Sequence, residues 1–163
     1  MSELSVDPRT YKNALGQFCS GVTVITVKTA TIVHGMTATA FSSVSLQPPQ
    51  VLVCVGNHTR MHRLMSTCDR FGVSILSAHQ TAVAAHFAGS SAARCVAFDD
   101  CEGTPVVPGA LVQLVNRIEA AHAAGDHTIY FGRVIACCTM QAPPLLRYAG
   151  RYRQLHDAEP CEA

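Results

Sequence analysis

The sequence predicts a mainly β fold with short helices, an antiparallel barrel that is closed or partly closed. Three observations carry that prediction. About six runs are rich in β-branched or apolar residues and bounded by turn signals. These runs are not each followed by a helix, so the alternation of a doubly wound parallel sheet is missing. The chain has 163 residues and is 48% hydrophobic, which suits one domain, 1–163, with an ordinary core. Within it, 7–155 reads as the core and 156–163, "HDAEPCEA", as a frayed tail.

The elements follow in order. Asp7 is a strong N-cap and Pro8 fits the first helical position, so "PRTYKNALGQF" opens as a short helix with Tyr11, Leu15 and Phe18 on one face. Gly21 ends it. "VTVITV" (22–27), "IVHGMTATAFSSVSL" (32–46) and "VLVCV" (51–55) then read as β segments, the last a buried run behind a Pro-Pro stop. "HTRMHRLMSTC" (58–68) is a helix candidate, "FGVSIL" (71–76) a strand, and "HQTAVAAHFAG" (79–89) a short helix closed by Gly89. Residues 90–109 read as loop, punctuated by Gly103, Pro105, Pro108 and Gly109. "ALVQLVNRIEAAHAA" (110–124) carries two signals: its alanines favour helix, and its place before "GDHTIYFGRVIACCTM" favours the first arm of a hairpin. The hairpin arm is the reading taken. "PPLLRYAGRYRQL" (143–155) ends the fold.

Composition excludes several classes. Only 14% of residues are charged, which implies surface covered in an oligomer. A net charge of +1, no basic run and no Trp argue against nucleic acid as a partner. The longest apolar runs are too short to span a bilayer, and "MSELSVDPRTYKN" has no apolar signal region, so the expected location is cytoplasmic, away from membranes. In that setting the eight cysteines (19, 54, 68, 95, 101, 137, 138 and 161) are expected to be free thiols, mostly small core hydrophobes. No C-x-x-C occurs, and Cys137 and Cys138 should point to opposite faces of a strand.

Metal and nucleophile chemistry find little support. His58 and His62, four apart, would share a helix face, but H-E-x-x-H is missing because Thr59 follows His58. There is no G-x-S-x-G elbow, no G-x-G-x-x-G fingerprint and no P-loop. Three stretches remain. Residues 35–45 alternate small hydroxylated and small apolar side chains, which lets a flat ligand approach the backbone, or simply makes a Ser/Thr-rich edge strand. Asn57, Thr59 and Arg60 stand where a helix begins, a place that suits an anion or an ordinary cap. His127 follows the Gly125-Asp126 turn at the head of a strand, held yet reachable, or merely solvated.

Five motifs in order, "NALGQFCSGVTVITV", "HGMTATAFSSVSLQPPQVLVCVG", "FGVSILSAHQTAVAAHFAG", "AGDHTIYFGRV" and "PLLRYAGRYRQL", span nearly the whole chain. Together they resemble the short-chain flavin reductases, the reductase components of two-component flavin-dependent monooxygenases such as the 4-hydroxyphenylacetate and phenol hydroxylases. The resemblance implies an FMN-binding split β-barrel, a homodimer, FAD or FMN as flavin, NADH as reductant, and a separate monooxygenase that receives reduced flavin. It implies that Gly125, Asp126 and His127, with Asn13 and Tyr152, lie beside the nicotinamide cofactor. It matches Thr37, Ala38, Thr39, Ala40, Ser42, Ser43, Val44 and Ser45 to the segment lining the isoalloxazine ring. Val55, Gly56, Asn57, Thr59, Arg60 and Met61 match the segment near the ribityl and phosphate groups. Gln80, Phe87 and Ala88 match the helix that closes over the flavin. Thr39 and Ser74 stand where relatives often have Asn. Two alternatives stay open: a split-barrel reductase with another acceptor, such as a cobalt corrinoid, and a non-catalytic flavin- or haem-binding protein.

Overall fold

The computed structural model describes residues 6–90 and 96–155. Helix α1 (Pro8–Leu15) leads to β1 (Ser20–Gly21), β2 (Thr23–Lys28), β3 (Val33–Ala38), β4 (Phe41–Leu46) and β5 (Pro49–Gly56). Helix α2 (Arg60–Met65) and β6 (Arg70–Ile75) follow, then a 3-10 turn (Ala78–Gln80) that runs into α3 (Thr81–Phe87). The chain closes with β7 (Asp99–Cys101), β8 (Thr104–Val106), β9 (Val112–Ala124), β10 (His127–Thr139), β11 (Leu146–Tyr148) and β12 (Arg151–Arg153).

Seven strands form one antiparallel sheet in the order β3-β2-β6-β9-β10-β5-β4. A three-stranded ribbon, β1-β11-β12, joins the two ends of the chain, and β7-β8 is a small hairpin. The mainly β expectation holds. The 110–124 segment is a strand: with β10 it makes a long hairpin around Gly125-Asp126, Gly125 having φ +61. Glycine is favoured at that position because other residues avoid positive φ.

β2 explains why "VTVITV" is apolar without alternation. Val22 and Val24 point into one core with Leu76, Ala84, Val107 and Leu145. Ile25 and Val27 point the other way, into a core with Val53, Val55, Met61, Met65, Phe71 and Val73. A strand covered on both faces has no polar side to show. Fully burying such side chains stabilises by about 1.5–3 kcal/mol each before entropy is counted.

Several boundaries differ from expectation. The 32–46 segment breaks at Thr39-Ala40 into two strands that pair with different partners, β3 with β2 and β4 with β5. The segment expected as loop contains the β7-β8 hairpin, whose three-residue arms are too short to show periodicity and include Pro105. Phe18 lies beyond the end of α1 and is 77% exposed. Helix α2 starts at Arg60, so His58 precedes it and does not share its face with His62. No described cysteine is fully buried: Cys19, Cys137 and Cys138 are exposed, and Cys54, Cys68 and Cys101 are intermediate. The expectation of core cysteines is therefore corrected, and the two adjacent thiols are exposed on the part of β10 that pairs with β9 beyond the end of its pairing with β5. The tail at 156–163 lies outside the described residues.

Candidate active site

The bend between β3 and β4 is the centre of the site. Thr39 there borders three adjoining concavities. The first, of about 530 Å³, is lined by Thr37, Ala38 and Thr39 on one side, Ala85, Ala88 and Gly89 of the α3 end on another, and Arg147 and Tyr152 on a third. The second, about 470 Å³, lies between α1 and the β11-β12 turn and includes Asn13. The third, about 370 Å³, runs from Leu15 and Phe18 past Ala40 and Ser42 to Cys54.

The walls are fixed by contacts that the sequence specifies. The Thr37 hydroxyl donates to the Ala84 carbonyl at 2.7 Å, tying β3 to α3. Phe87 lies over Gly35, where a Cβ would meet its ring at 2.6 Å, so only glycine lets α3 sit this close. Gly89, at φ +93, ends the helix as expected, with the Ser90 N–H donating to the Ala85 carbonyl. The pocket floor is thus small side chains and backbone, the surface a flat heteroaromatic ring can approach.

His127 stands at a second locus, the tip of the β9-β10 hairpin, paired with Gly56 at the end of β5. Asn57 clasps this tip: its N–H donates to the Asp126 carbonyl at 2.9 Å, and its side-chain oxygen accepts from Thr128 at 2.8 Å. The Asp126 carboxylate meets His127 Nδ1 at 2.7 Å. That bond first, with the nearby charges of His127 and His58, holds the Asp126 carboxyl below the usual range. The hydrogen bond between β5 and the bend, from the Cys54 N–H to the Ala40 carbonyl, links this locus to the pocket rim.

The expected residues thus divide. Thr37, Ala38, Thr39, Ala88 and Tyr152 converge on the first cavity, and Asn13, Ala40 and Ser42 on its neighbours. Val55 and Met61 are fully buried in the core and border none of the three concavities. Both ends of the Gln80 amide are engaged, the oxygen accepting from the Ser77 N–H and the nitrogen donating to the Pro108 carbonyl. Thr59 caps α2 by accepting from the His62 N–H. Ser43, Val44 and Ser45 lie on β4, an edge strand. Ser74 is buried and accepts from the Val107 N–H at 2.9 Å, so Ser there serves the β8 connection. Sequence reasoning missed Arg147: it lies inside a quoted motif, yet an arginine in a terminal ribbon carries no pattern that marks it as pocket-lining.

Burial pushes the Cys54 thiol above its ordinary value, which keeps it protonated and a poor nucleophile near neutral pH. Cys54→Ser is therefore expected to leave turnover within about twofold in a steady-state NADH oxidation assay, since only the thiolate would react. Loss of turnover with flavin affinity intact would assign the thiol a chemical role.

Fold and pocket leave a cavity of small side chains beneath a short helix, a shape that suits a flat ring system. The chain matches the family described as "Flavin reductase like domain" over residues 15–156, and it belongs to that family. It is 42% identical over 154 residues to an NADH-dependent flavin reductase of Rhodococcus sp, covering 92% of this chain and 88% of that one. It is 38% identical over 146 residues to the reductase component of 4-hydroxyphenylacetate 3-monooxygenase of Thermus thermophilus, covering 89% and 95%. Among solved structures, the flavin reductase PheA2 in its native state superposes with a TM-score of 0.91 at 39% identity, covering 93% of this chain and all of that one.

Proposed function

We propose that this chain is an NADH-dependent flavin reductase that supplies reduced FAD or FMN to a separate flavin-dependent monooxygenase. The observation that carries this reading is the 530 Å³ cavity of small side chains closed by α3 and Tyr152, together with the family membership. When both are bound, nicotinamide supplies a hydride and flavin accepts it. The chain's own task is alignment. Thr37 to Thr39 offer backbone groups to a ring, while α3 and Tyr152 limit where it can sit. His127, braced by Asp126 and Asn57, offers a fixed imidazole to the nicotinamide cofactor. No strong general base is required for hydride transfer, and positioning supplies the rate.

Steady-state NADH oxidation with and without added free flavin tests the reading. Turnover that rises and saturates with added flavin supports it. NADH oxidation only with a corrinoid acceptor, or none with either, would sink it.

The protein acts as a homodimer in this reading. β4 is an edge strand, and its last residue, Leu46, is 88% exposed, with Val44 at 44%, Leu15 at 52% and Phe18 at 77%. Such an edge needs covering. Sedimentation at micromolar concentration is expected to show a dimer, and Leu46→Glu to shift it toward monomer. A stable wild-type monomer would refute this.

A further inference from the structure

Two cysteines far apart in sequence meet on one face of the sheet. Cys101 ends β7 and pairs with Thr104 of β8. Cys138 lies on β10 opposite Gln113 of β9, which lies opposite Ser74 of β6. That cross-strand row is the one that holds the β7-β8 hairpin. The Val107 N–H donates to the Ser74 hydroxyl at 2.9 Å, and Gln113 Nε2 donates to the Val107 carbonyl at 2.8 Å. Residues directly opposite on neighbouring strands share a face, so Cys138 projects from the face that carries the hairpin. Cys137, opposite Leu114, projects from the other. On the hairpin side Cys101 and Cys138 are close neighbours, and both are free thiols.

The hairpin is held in place over this face. At its turn the Gly103 N–H donates to the Asp100 carboxylate at 2.9 Å, Arg70 donates to the Glu102 carbonyl at 3.1 Å, and Lys28 faces Asp100 at 3.7 Å. Beneath it the Thr26 hydroxyl donates to the Pro105 carbonyl. The two thiols therefore face each other on a fixed frame. Neither borders the concavities around Thr39. Among the described residues no three His, Cys, Asp or Glu side chains gather as a metal site, so the pair lacks the ligand set of a structural zinc.

The two sulfurs differ in setting. Cys138 is exposed and meets a dissolved oxidant first. Cys101 is less open. Burial first, then the neighbouring Cys138, Glu102 and Asp100, holds its thiol above the ordinary value. Alone it reacts slowly, and it is placed to resolve a modification formed on its neighbour.

We propose that Cys101 and Cys138 are a peroxide-responsive thiol pair that closes to a disulfide and staples the β7-β8 hairpin to β10. The Cys138 sulfur attacks one oxygen of hydrogen peroxide. The O–O bond breaks, and the departing hydroxide takes the thiol proton and leaves as water, which leaves a sulfenic acid on Cys138. The Cys101 sulfur then attacks the Cys138 sulfur. The S–O bond breaks, and the second hydroxide leaves as water with the Cys101 proton. Two thiols give up two electrons and one peroxide accepts them. The source of peroxide rests on the flavin reductase reading: dioxygen takes two electrons and two protons from reduced flavin that leaves without meeting its oxygenase. The pair then records turnover that outruns its acceptor. The staple also bears on the cavity wall, because Phe98 stands just before β7 and its ring centre is 5.5 Å from that of Phe87 at the end of α3.

The test starts from the full chain reduced with dithiothreitol and then freed of it. One arm adds a small molar excess of hydrogen peroxide without flavin. A second arm supplies NADH, free flavin and air, with and without catalase. Peptide mass mapping under non-reducing conditions and thermal unfolding by circular dichroism read both. Added peroxide is expected to yield a peptide linking Cys101 to Cys138 within one chain, and to raise the melting temperature by roughly 5–15 °C, the scale of closing the loop from 101 to 138. Dithiothreitol should reverse both changes. Cys101→Ser should abolish the rise and leave a sulfenic acid on Cys138 that dimedone captures. Cys137→Ser should keep the link and the rise. A link from either cysteine to any other, a link between chains, no link at all, or a link with no rise in melting temperature overturns the proposal. In the second arm the link should form without catalase and fail with it. Failure to oxidise NADH there would overturn the reductase reading alone, since the peroxide arm needs no turnover.

Discussion

Replacing His127 with Ala is expected to raise the KM for NADH about 10- to 150-fold, the loss of one hydrogen bond to a polar or charged cofactor group. Flavin affinity should stay within about twofold, because His127 borders none of the three concavities around Thr39. The imidazole is positioned twice over. Gly125 makes the tight turn, and Asn57 holds the tip against the end of β5. With Nδ1 toward the Asp126 carboxylate at 2.7 Å, the Nε2 edge faces away from the hairpin and is the one open to a ligand. Asp126→Asn should give a smaller rise in KM, since the ring keeps a polar neighbour. The sign with pH follows from the depressed Asp126 carboxyl. Its support for His127 is fully present above the ordinary carboxylate range and is lost as pH falls through the lower folded value. Steady-state kinetics with varied NADH reads all three. If flavin binding disappears while the NADH KM stays put, the histidine serves the other cofactor.

The strands and their turns were legible in the sequence because their signals are local. Gly125-Asp126 before Thr128 and Tyr130 marks a hairpin wherever it occurs. The double-sided burial of Val24 and Ile25 also shows, as an apolar run without alternation. What could not be read depends on distant partners. Thr37 looks like a ligand-facing hydroxyl until α3 is placed over it and its donor goes to Ala84. Gln80 looks like a free amide until Pro108 and Ser77 engage both ends. Arg147 joins the site only because β11 pairs with β1, bringing the C-terminal ribbon against the β3-β4 bend. Residues alternating small and hydroxylated therefore pointed to the bend that borders the cavities, while the role of each hydroxyl depended on long-range contacts.

Gly72→Ala should be the most destabilising of the single-methyl changes. Gly72 sits in the middle of β6, with Thr26 of β2 on one side and Val115 of β9 on the other. A Cβ there would collide with Thr26 Oγ1 and come within 2.6 Å of the Pro105 carbonyl oxygen. The second contact is with backbone, so no rotamer change relieves it. The β7-β8 hairpin must lift. That breaks the bond the Thr26 hydroxyl donates to the Pro105 carbonyl and strains the neighbouring one from the Val107 N–H to Ser74. Overpacking costs about 1–3 kcal/mol, and a buried polar group left without its partner adds about 1–3. Together that is about 2–6 kcal/mol, and at roughly 2–4 °C per kcal/mol for a chain of this size the melting temperature should fall by about 4–24 °C. Gly21→Ala is the matched control, because a Cβ at Gly21 meets nothing within 4 Å, and it should change stability by no more than about 0.5 kcal/mol. None of Thr26, Gly72, Thr104 and Pro105 lines the cavities around Thr39, so below the melting range flavin affinity should be nearly unchanged. Thermal unfolding followed by circular dichroism on both variants, without added flavin, checks this. A Gly72→Ala protein that melts with the Gly21→Ala control would mean that the β7-β8 hairpin moves at little cost, and that the close approach over Gly72 does not hold the fold.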